Sequence, residues 1–167
     1  METVTAIRHL RDHVGQTVRL RGWVYHSRPG GKITFLVLRD GTGLCQCVIE
    51  KNDASAVFYD DVKRLAQESS LEVTGTVSAD ERSIGGFEVR LTDARVIQSA
   101  RDYPITPKTH GIDFLMKHRH LWFRSKRPWH VLRIRATVVD QIRRFFNDNG
   151  YVLIDTPIFA PAAGEGS

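Results

Sequence analysis

Hydrophobic and polar positions alternate through the first hundred residues in a pattern typical of short β-strands. Turn residues, such as the run Pro29-Gly30-Gly31, separate segments that are rich in Val, Ile, Leu and aromatic residues. We predict five strands, at residues 17–25, 32–39, 43–49, 71–77 and 87–98.

Helical spacing occurs at two places in the same region. Residues 53–69 contain no Gly or Pro and carry Val57, Val62, Leu65 and Ala66 at helical intervals. Residues 5–13 are predicted to form a short helix with Ile7 and Leu10 facing inward. Five strands with a helix between the third and fourth is the order of an OB-fold, a small barrel that often binds single-stranded nucleic acid. Another small barrel or sandwich without a ligand fits the strand count too.

The rest of the chain changes character twice. Residues 101–128 lack sustained periodicity and contain several Pro and Gly residues, which predicts a hinge and a docking segment. Residues 130–149 are predicted to form an amphipathic helix with one apolar stripe, and Asn149-Gly150 is expected to end this helix. Residues 151–154 are predicted to form a strand. The expected domains are therefore a barrel at 1–100, a linker at 101–128 and the beginning of a second domain at 129–167.

Charge is unevenly distributed. Residues 1–100 carry 13 basic and 13 acidic side chains, whereas residues 101–144 carry 11 basic and 3 acidic ones. This basic segment is compatible with contact to a polyanion, and equally with a solvated helix face and an interdomain loop. No run of 18 apolar residues or secretory signal occurs, which excludes a membrane-spanning helix as a reading of this sequence.

Cysteine and histidine do not form a metal-binding pattern. Cys45 and Cys47 lie two residues apart in a predicted strand, so both point to one face and are expected to be buried thiols. Four of the seven histidines lie between His110 and His130 without the spacing of a zinc site. We expect no metal.

Strand alternation also nominates a surface site. Leu36 and Leu38 in the second strand suit the core, as do the third strand's Cys45, Cys47 and Ile49, which leaves Phe35 and Gln46 on the outer surface. An aromatic ring beside an amide is equipped to stack on a base and to bind its edge. The opposite parity would place Phe35 in the core. Trp23 is expected to serve packing.

Three sequence sets together resemble one family. GWVYHSRPGGKITFLVLRDGTGLCQCVIE, residues 22–50, resembles the anticodon-binding barrel of the aspartyl-, asparaginyl- and lysyl-tRNA synthetases, the class IIb group. YPITPKTHGIDFLMKHRHLWFRS, residues 103–125, is similar to the asparaginyl members in particular. IRRFFNDNGYVLIDTPIFAPAAGEGS, residues 142–167, resembles motif 1 of class II synthetases.

This resemblance implies particular roles. Phe35 is expected to stack on the central uridine of the tRNA(Asn) anticodon, with Gln46 and Arg28, the latter in the loop after the first strand, completing recognition. Glu165 is expected to contact the α-amino group of the amino-acid substrate. Pro157 is expected at a motif 1 homodimer interface.

The resemblance implies a cytoplasmic parent enzyme that uses ATP and Mg²⁺ to join asparagine to tRNA(Asn). Motifs 2 and 3 of class II synthetases do not occur in the sequence, so the chain is expected to be a truncated front part without catalytic residues. Two alternatives stay open: an aspartyl or lysyl relative, and a free-standing OB-type RNA-binding protein.

Overall fold

The computed structural model describes residues 3–52 and 54–158. The chain divides into two compact units, Met1–Tyr103 and Pro104–Ser167. The first contains every β-strand of the described residues, and the second contains only helices and irregular segments.

The first unit is a closed barrel, as the alternation predicts. Its strands are β1 Thr3–Val4, β2 Thr17–Pro29, β3 Ile33–Arg39, β4 Leu44–Glu50, β5 Ser70–Ala79 and β6 Phe87–Gln98. The sheet runs β1-β2-β3-β4-β6-β5, and pairing of β2 with β5 closes its five long strands into a barrel. The two-residue strand β1 adds to β2 in parallel.

The length of β2 makes this closure possible. Its first half, from Thr17 to Trp23, pairs with β5, and its second half, from Trp23 to Pro29, pairs with β3. The register shifts between Val24 and His26, which bends the strand between its two partners. Gly22 lies beside this bend, where an added Cβ would overlap the carbonyl oxygen of Arg39.

Alternating side chains from the strands fill the barrel. Leu36, Leu38, Cys45, Cys47 and Ile49 all lie in the core, which confirms the predicted inward face of β3 and β4. The two thiols are free, and their Sγ atoms lie 3.8 Å apart. The hydrogen bond with Cys45, together with burial, raises the pKa of Cys47 well above its ordinary value.

Helical segments cover the barrel. A 3₁₀-helix at Ile7–His13 buries Ile7 and Leu10, as predicted. The predicted helix at 53–69 is much shorter, since α1 spans only Ala56–Lys63. It packs Phe58, Tyr59 and Val62 into the core, whereas Val57, one of the residues at helical intervals, is 89% exposed.

The second unit is helical. Residues 112–122, predicted as part of an irregular hinge, form the short helices α2 Ile112–Lys117 and α3 Arg119–Trp122. Helix α4 spans Lys126–Asp148, and Gly150 follows it with a φ of 82°, the left-handed stop that the sequence predicts. Pro128 lies in the first turn of α4, where its missing N–H costs no helical hydrogen bond.

Two features of this unit bear on its expected partners. The apolar stripe of α4 is exposed along its length, at Val131, Leu132, Ile134, Val138, Ile142, Phe145 and Phe146. The predicted strand at 151–154 is not formed, because no described segment offers a partner for its backbone. Among the described helices, none combines the length and the apolar character needed to cross a bilayer.

Candidate nucleic-acid interface

The outer surface of β3 carries the aromatic ring that the sequence nominates. Phe35 is half-buried and lies outside the core cluster, on the strand face opposite to Leu36 and Leu38. Its register partners are Arg28 on β2 and Val48 on β4. The ring is therefore accessible from solvent and flanked on both sides.

The outward face is not uniformly exposed. Val37 and Val48 have the outward parity and yet are buried. In the register, Val37 lies between His26 and Gln46, and Val48 lies between Phe35 and Arg90. Longer side chains on the neighbouring strands therefore flank each valine. These longer side chains make up most of the solvent-exposed part of this face.

Arg28 lies over the half-buried ring of Phe35. Its guanidinium carbon is 5.7 Å from the centroid of the Phe35 ring, within the range of a cation–π contact. The expected position of Arg28 in a loop was wrong, because β2 continues to Pro29 and holds Arg28 opposite Phe35. Strand pairing thus fixes its backbone, and its exposed charge lies next to the stacking surface.

Gln46 belongs to the same surface and lies on the neighbouring strand β4, diagonally across from Phe35. It pairs with Val37, while Phe35 pairs with Val48, so both side chains point outward from neighbouring strands. The amide is half-buried, and its Nε2 donates a hydrogen bond to Ser83 Oγ at 3.0 Å. The structure therefore brings Arg28, Phe35 and Gln46 to one face of the barrel.

Sequence reasoning missed the loop that holds Gln46. Between β5 and β6, Ser83 is buried and its Oγ donates to Asp80 Oδ2 at 2.7 Å. The backbone N–H of Arg82 donates to Asp80 Oδ1 at 3.1 Å, and Gly85 and Gly86 close the turn with positive φ angles. The pair Gly85-Gly86 is typical of a turn, but nothing in the sequence indicated that Ser83 would contact β4.

The Asp80 carboxylate is a negative charge that hydrogen bonds hold in place within this loop. The hydrogen bond from Ser83, and then that from the Arg82 backbone, lower the pKa of Asp80 below its ordinary value. At neutral pH its carboxylate is ionised and can only accept hydrogen bonds.

The remaining predicted residues lie elsewhere. Pro157 is exposed in the irregular segment after α4. Glu165 lies outside the described residues. Trp23 is on the barrel, where the Arg39 guanidinium carbon lies 5.9 Å from its ring centroid. Across residues 3–52 and 54–158, no group of three His, Cys, Asp or Glu side chains is placed to hold a metal ion.

Family models match both units. Residues 18–97 match the OB-fold nucleic acid binding domain, and residues 111–167 match the class II tRNA synthetases of the D, K and N group. The chain is 48% identical over 163 residues to the asparagine–tRNA ligase of Desulforamulus reducens, and 47% identical over 167 residues to that of Koribacter versatilis. Each alignment covers 98% of this chain and 38% of the relative.

Solved structures agree with these matches. The asparaginyl-tRNA synthetase of Pyrococcus horikoshii, solved with asparaginyl-adenylate, superposes with a TM-score of 0.86 at 33% identity, covering 99% of this chain and 39% of that one. An aspartyl-tRNA synthetase from Entamoeba histolytica superposes with a TM-score of 0.80, and its 23% identity over 93% of this chain and 39% of that one supports the fold alone.

Proposed function

Since this chain is a homologue of the asparagine–tRNA ligases and spans about 38% of their length, we propose that it takes part in joining asparagine to tRNA and that its barrel binds the anticodon. The observation that carries this proposal is the surface formed by Arg28, Phe35 and Gln46. A solvent-accessible ring, a guanidinium and an amide on adjacent strands are the groups that proteins binding single-stranded RNA use.

Each of these residues has a distinct task in the proposed complex. Phe35 stacks on one unpaired base, since every base offers a π-face. Arg28 donates to carbonyl oxygens of that base or to a neighbouring phosphate. Gln46 hydrogen-bonds the edge of the stacked base. In line with the family resemblance, we propose that this base is the central nucleotide of the tRNA(Asn) anticodon.

The proposed reaction of the whole protein is the activation of asparagine with ATP, followed by transfer to tRNA. The adenylate in the Pyrococcus horikoshii structure supports this order. ATP and Mg²⁺ would supply the activating chemistry, and no described residue of this chain is assigned to either of them. Glu165 is proposed to contact the amino group of asparagine. The proposed compartment is the cytoplasm, where tRNA is used in translation.

A second copy of the chain is the proposed partner of α4. Its exposed stripe contains large apolar side chains on one helix face, a surface that is normally covered in an assembly. Homodimer formation through this helix, with Pro157 at its edge, agrees with the motif 1 resemblance. The class II model also covers aspartyl and lysyl enzymes, but the identities of 47–48% to asparagine ligases favour asparagine.

Binding of tRNA(Asn) to the full chain tests the proposal. We expect Phe35→Ala to weaken binding by about 1–3 kcal/mol, the usual contribution of one stacked base, with little change in melting temperature because Phe35 lies outside the core. Val57→Ala on α1 is the control, since it also truncates an apolar side chain that lies outside the core. Equal affinity of wild type and Phe35→Ala for tRNA(Asn) would disprove anticodon stacking on this ring.

A further inference from the structure

The amide of Gln46 is held by a two-step hydrogen-bond chain that ends on a carboxylate. Gln46 Nε2 donates to Ser83 Oγ at 3.0 Å, and Ser83 Oγ donates to Asp80 Oδ2 at 2.7 Å. The proposed anticodon site uses Gln46 but gives no role to the other two residues. The following inference rests on that proposed function and concerns which base the site accepts.

The donor and acceptor roles in these two hydrogen bonds follow from the carboxylate of Asp80. An ionised carboxylate has no proton to donate, so the hydroxyl proton of Ser83 must point to Asp80. The Ser83 oxygen is then left only with lone pairs towards Gln46. The Gln46 atom that faces Ser83 must therefore carry a proton, which identifies it as Nε2.

The free end of the amide is consequently its oxygen. No hydrogen bond to Gln46 Oε1 occurs among the described residues. Glu88, the register partner of Gln46 on β6, is another acceptor nearby, and its carboxylate faces Arg90 with Oε1 and Nε 3.4 Å apart. Arg28 contributes only donors to the surface. Gln46 Oε1 is thus the atom of the amide that can accept a hydrogen bond from a base stacked on Phe35.

We propose that Asp80 and Ser83 are positioning residues, which fix the Gln46 amide so that Oε1 faces the base. The preference for uridine over cytidine, which the family resemblance already implies, then depends on these two residues. At ring position N3, uracil carries an N–H that donates to Oε1. Cytosine has an unprotonated acceptor nitrogen there, which would face the oxygen lone pairs. The carbonyl oxygens beside the uracil N–H match the donors of Arg28.

Asp80→Asn tests the direction of the chain. The Asn oxygen can keep the hydrogen bond from the Arg82 backbone N–H, which places its NH₂ group against Ser83. Ser83 Oγ would then accept a hydrogen bond from the Asn NH₂ group and donate one to Gln46 Oε1, so the amide would turn and present Nε2 to the base. The preference for uridine over cytidine should be reversed.

The probes are synthetic RNA hairpins that carry the anticodon loop and differ only in its central base, U or C. For the wild-type chain we expect binding of the U hairpin to be at least about fivefold tighter, the lower end for a good base-edge contact. Ser83→Ala should bring the ratio of the two affinities close to one, and Asp80→Asn should bring it below one. Asp93→Asn on β6 is the charge-matched control and should leave the wild-type ratio.

The outcomes separate this inference from the proposed function. Wild-type binding that depends on Phe35, with the same U-to-C ratio in Ser83→Ala and Asp80→Asn as in wild type, would overturn the inference and leave the function standing. Failure of the wild-type chain to bind either hairpin would overturn both. Equal binding of the U and C hairpins that still depends on Phe35 would overturn the inference alone. Melting curves for each variant establish that a changed ratio comes from a folded barrel.

Discussion

A buried ion pair joins the end of β3 to the segment before β5, and its removal should destabilise the barrel. Arg39 donates to both carboxylate oxygens of Glu68, at 2.8 and 2.7 Å. The side chains are only 15% and 4% exposed. Glu68 is also one of two non-glycine residues in the described chain with positive φ, at 68°, and its N–H donates to the Val24 carbonyl at 2.7 Å.

The expected cost of Glu68→Ala follows from this geometry. Removal of one partner of a buried pair costs about 3–5 kcal/mol, because the other charge loses its hydrogen bonds without returning fully to water. Arg39 keeps its contact with the Trp23 ring, so we expect the lower end, about 3 kcal/mol. Glu68→Gly should lose about 1 kcal/mol less than Glu68→Ala, because glycine adopts positive φ without strain.

Urea unfolding monitored by Trp23 fluorescence measures these differences in the barrel itself. Trp122 and Trp129 lie in the helical unit, so they are replaced by Phe in all variants, which leaves Trp23 as the reporter. The double variant Arg39→Met/Glu68→Met removes both charges and should lose less stability than Glu68→Ala.

Two results would refute this reasoning. A loss below about 1 kcal/mol for Glu68→Ala would mean that the pair behaves as a solvent-screened surface contact. A double variant less stable than Glu68→Ala would mean that the attraction within the pair exceeds its cost of desolvation.

Two further predictions concern pH and assembly. The hydrogen bond from Arg21 Nε, at 2.6 Å, lowers the pKa of Glu72 in the folded state. The contribution of ionised Glu72 to the free energy of unfolding is therefore complete above the unfolded pKa of about 4.3, and it is lost as the pH falls through the folded pKa. The melting temperature of the wild type should therefore exceed that of Glu72→Gln at neutral pH, and the difference should disappear at acidic pH. A difference that stays constant with pH would contradict this. In sedimentation, α4 should mediate concentration-dependent self-association that Ile142→Glu abolishes. Arg133→Glu, on the opposite side of the helix, should leave it intact.

The barrel was predictable because its signals are local. Alternation of side chains with a period of two identifies both the strands and their inward faces, and Leu36 and Cys47 lie where that period places them. The lengths of the strands were less predictable, since each strand extends only as far as a neighbouring strand pairs with it. β2 extends past Tyr25 because β3 pairs with it up to Pro29, and residues 151–154 form no strand because no described segment pairs with them.

The candidate site divides along the same line. Phe35 and Gln46 can be placed on one surface from strand parity, whereas the position of Arg28 required the true end of β2. Ser83 lies 37 residues from Gln46 in sequence, and only the closure of the barrel through β6 brings them together. A pattern that repeats every two residues carries no information about such a contact.

The chemical character of the site depends most on that unpredictable contact. A glutamine amide offers a donor and an acceptor of similar shape, so Gln46 alone does not distinguish uracil from cytosine. The distinction arises only when Ser83 accepts a hydrogen bond from the amide Nε2, and Ser83 accepts there because its own O–H donates to Asp80. On this reasoning, the strands supply a surface that can bind a base, and the β5–β6 loop determines which base it prefers.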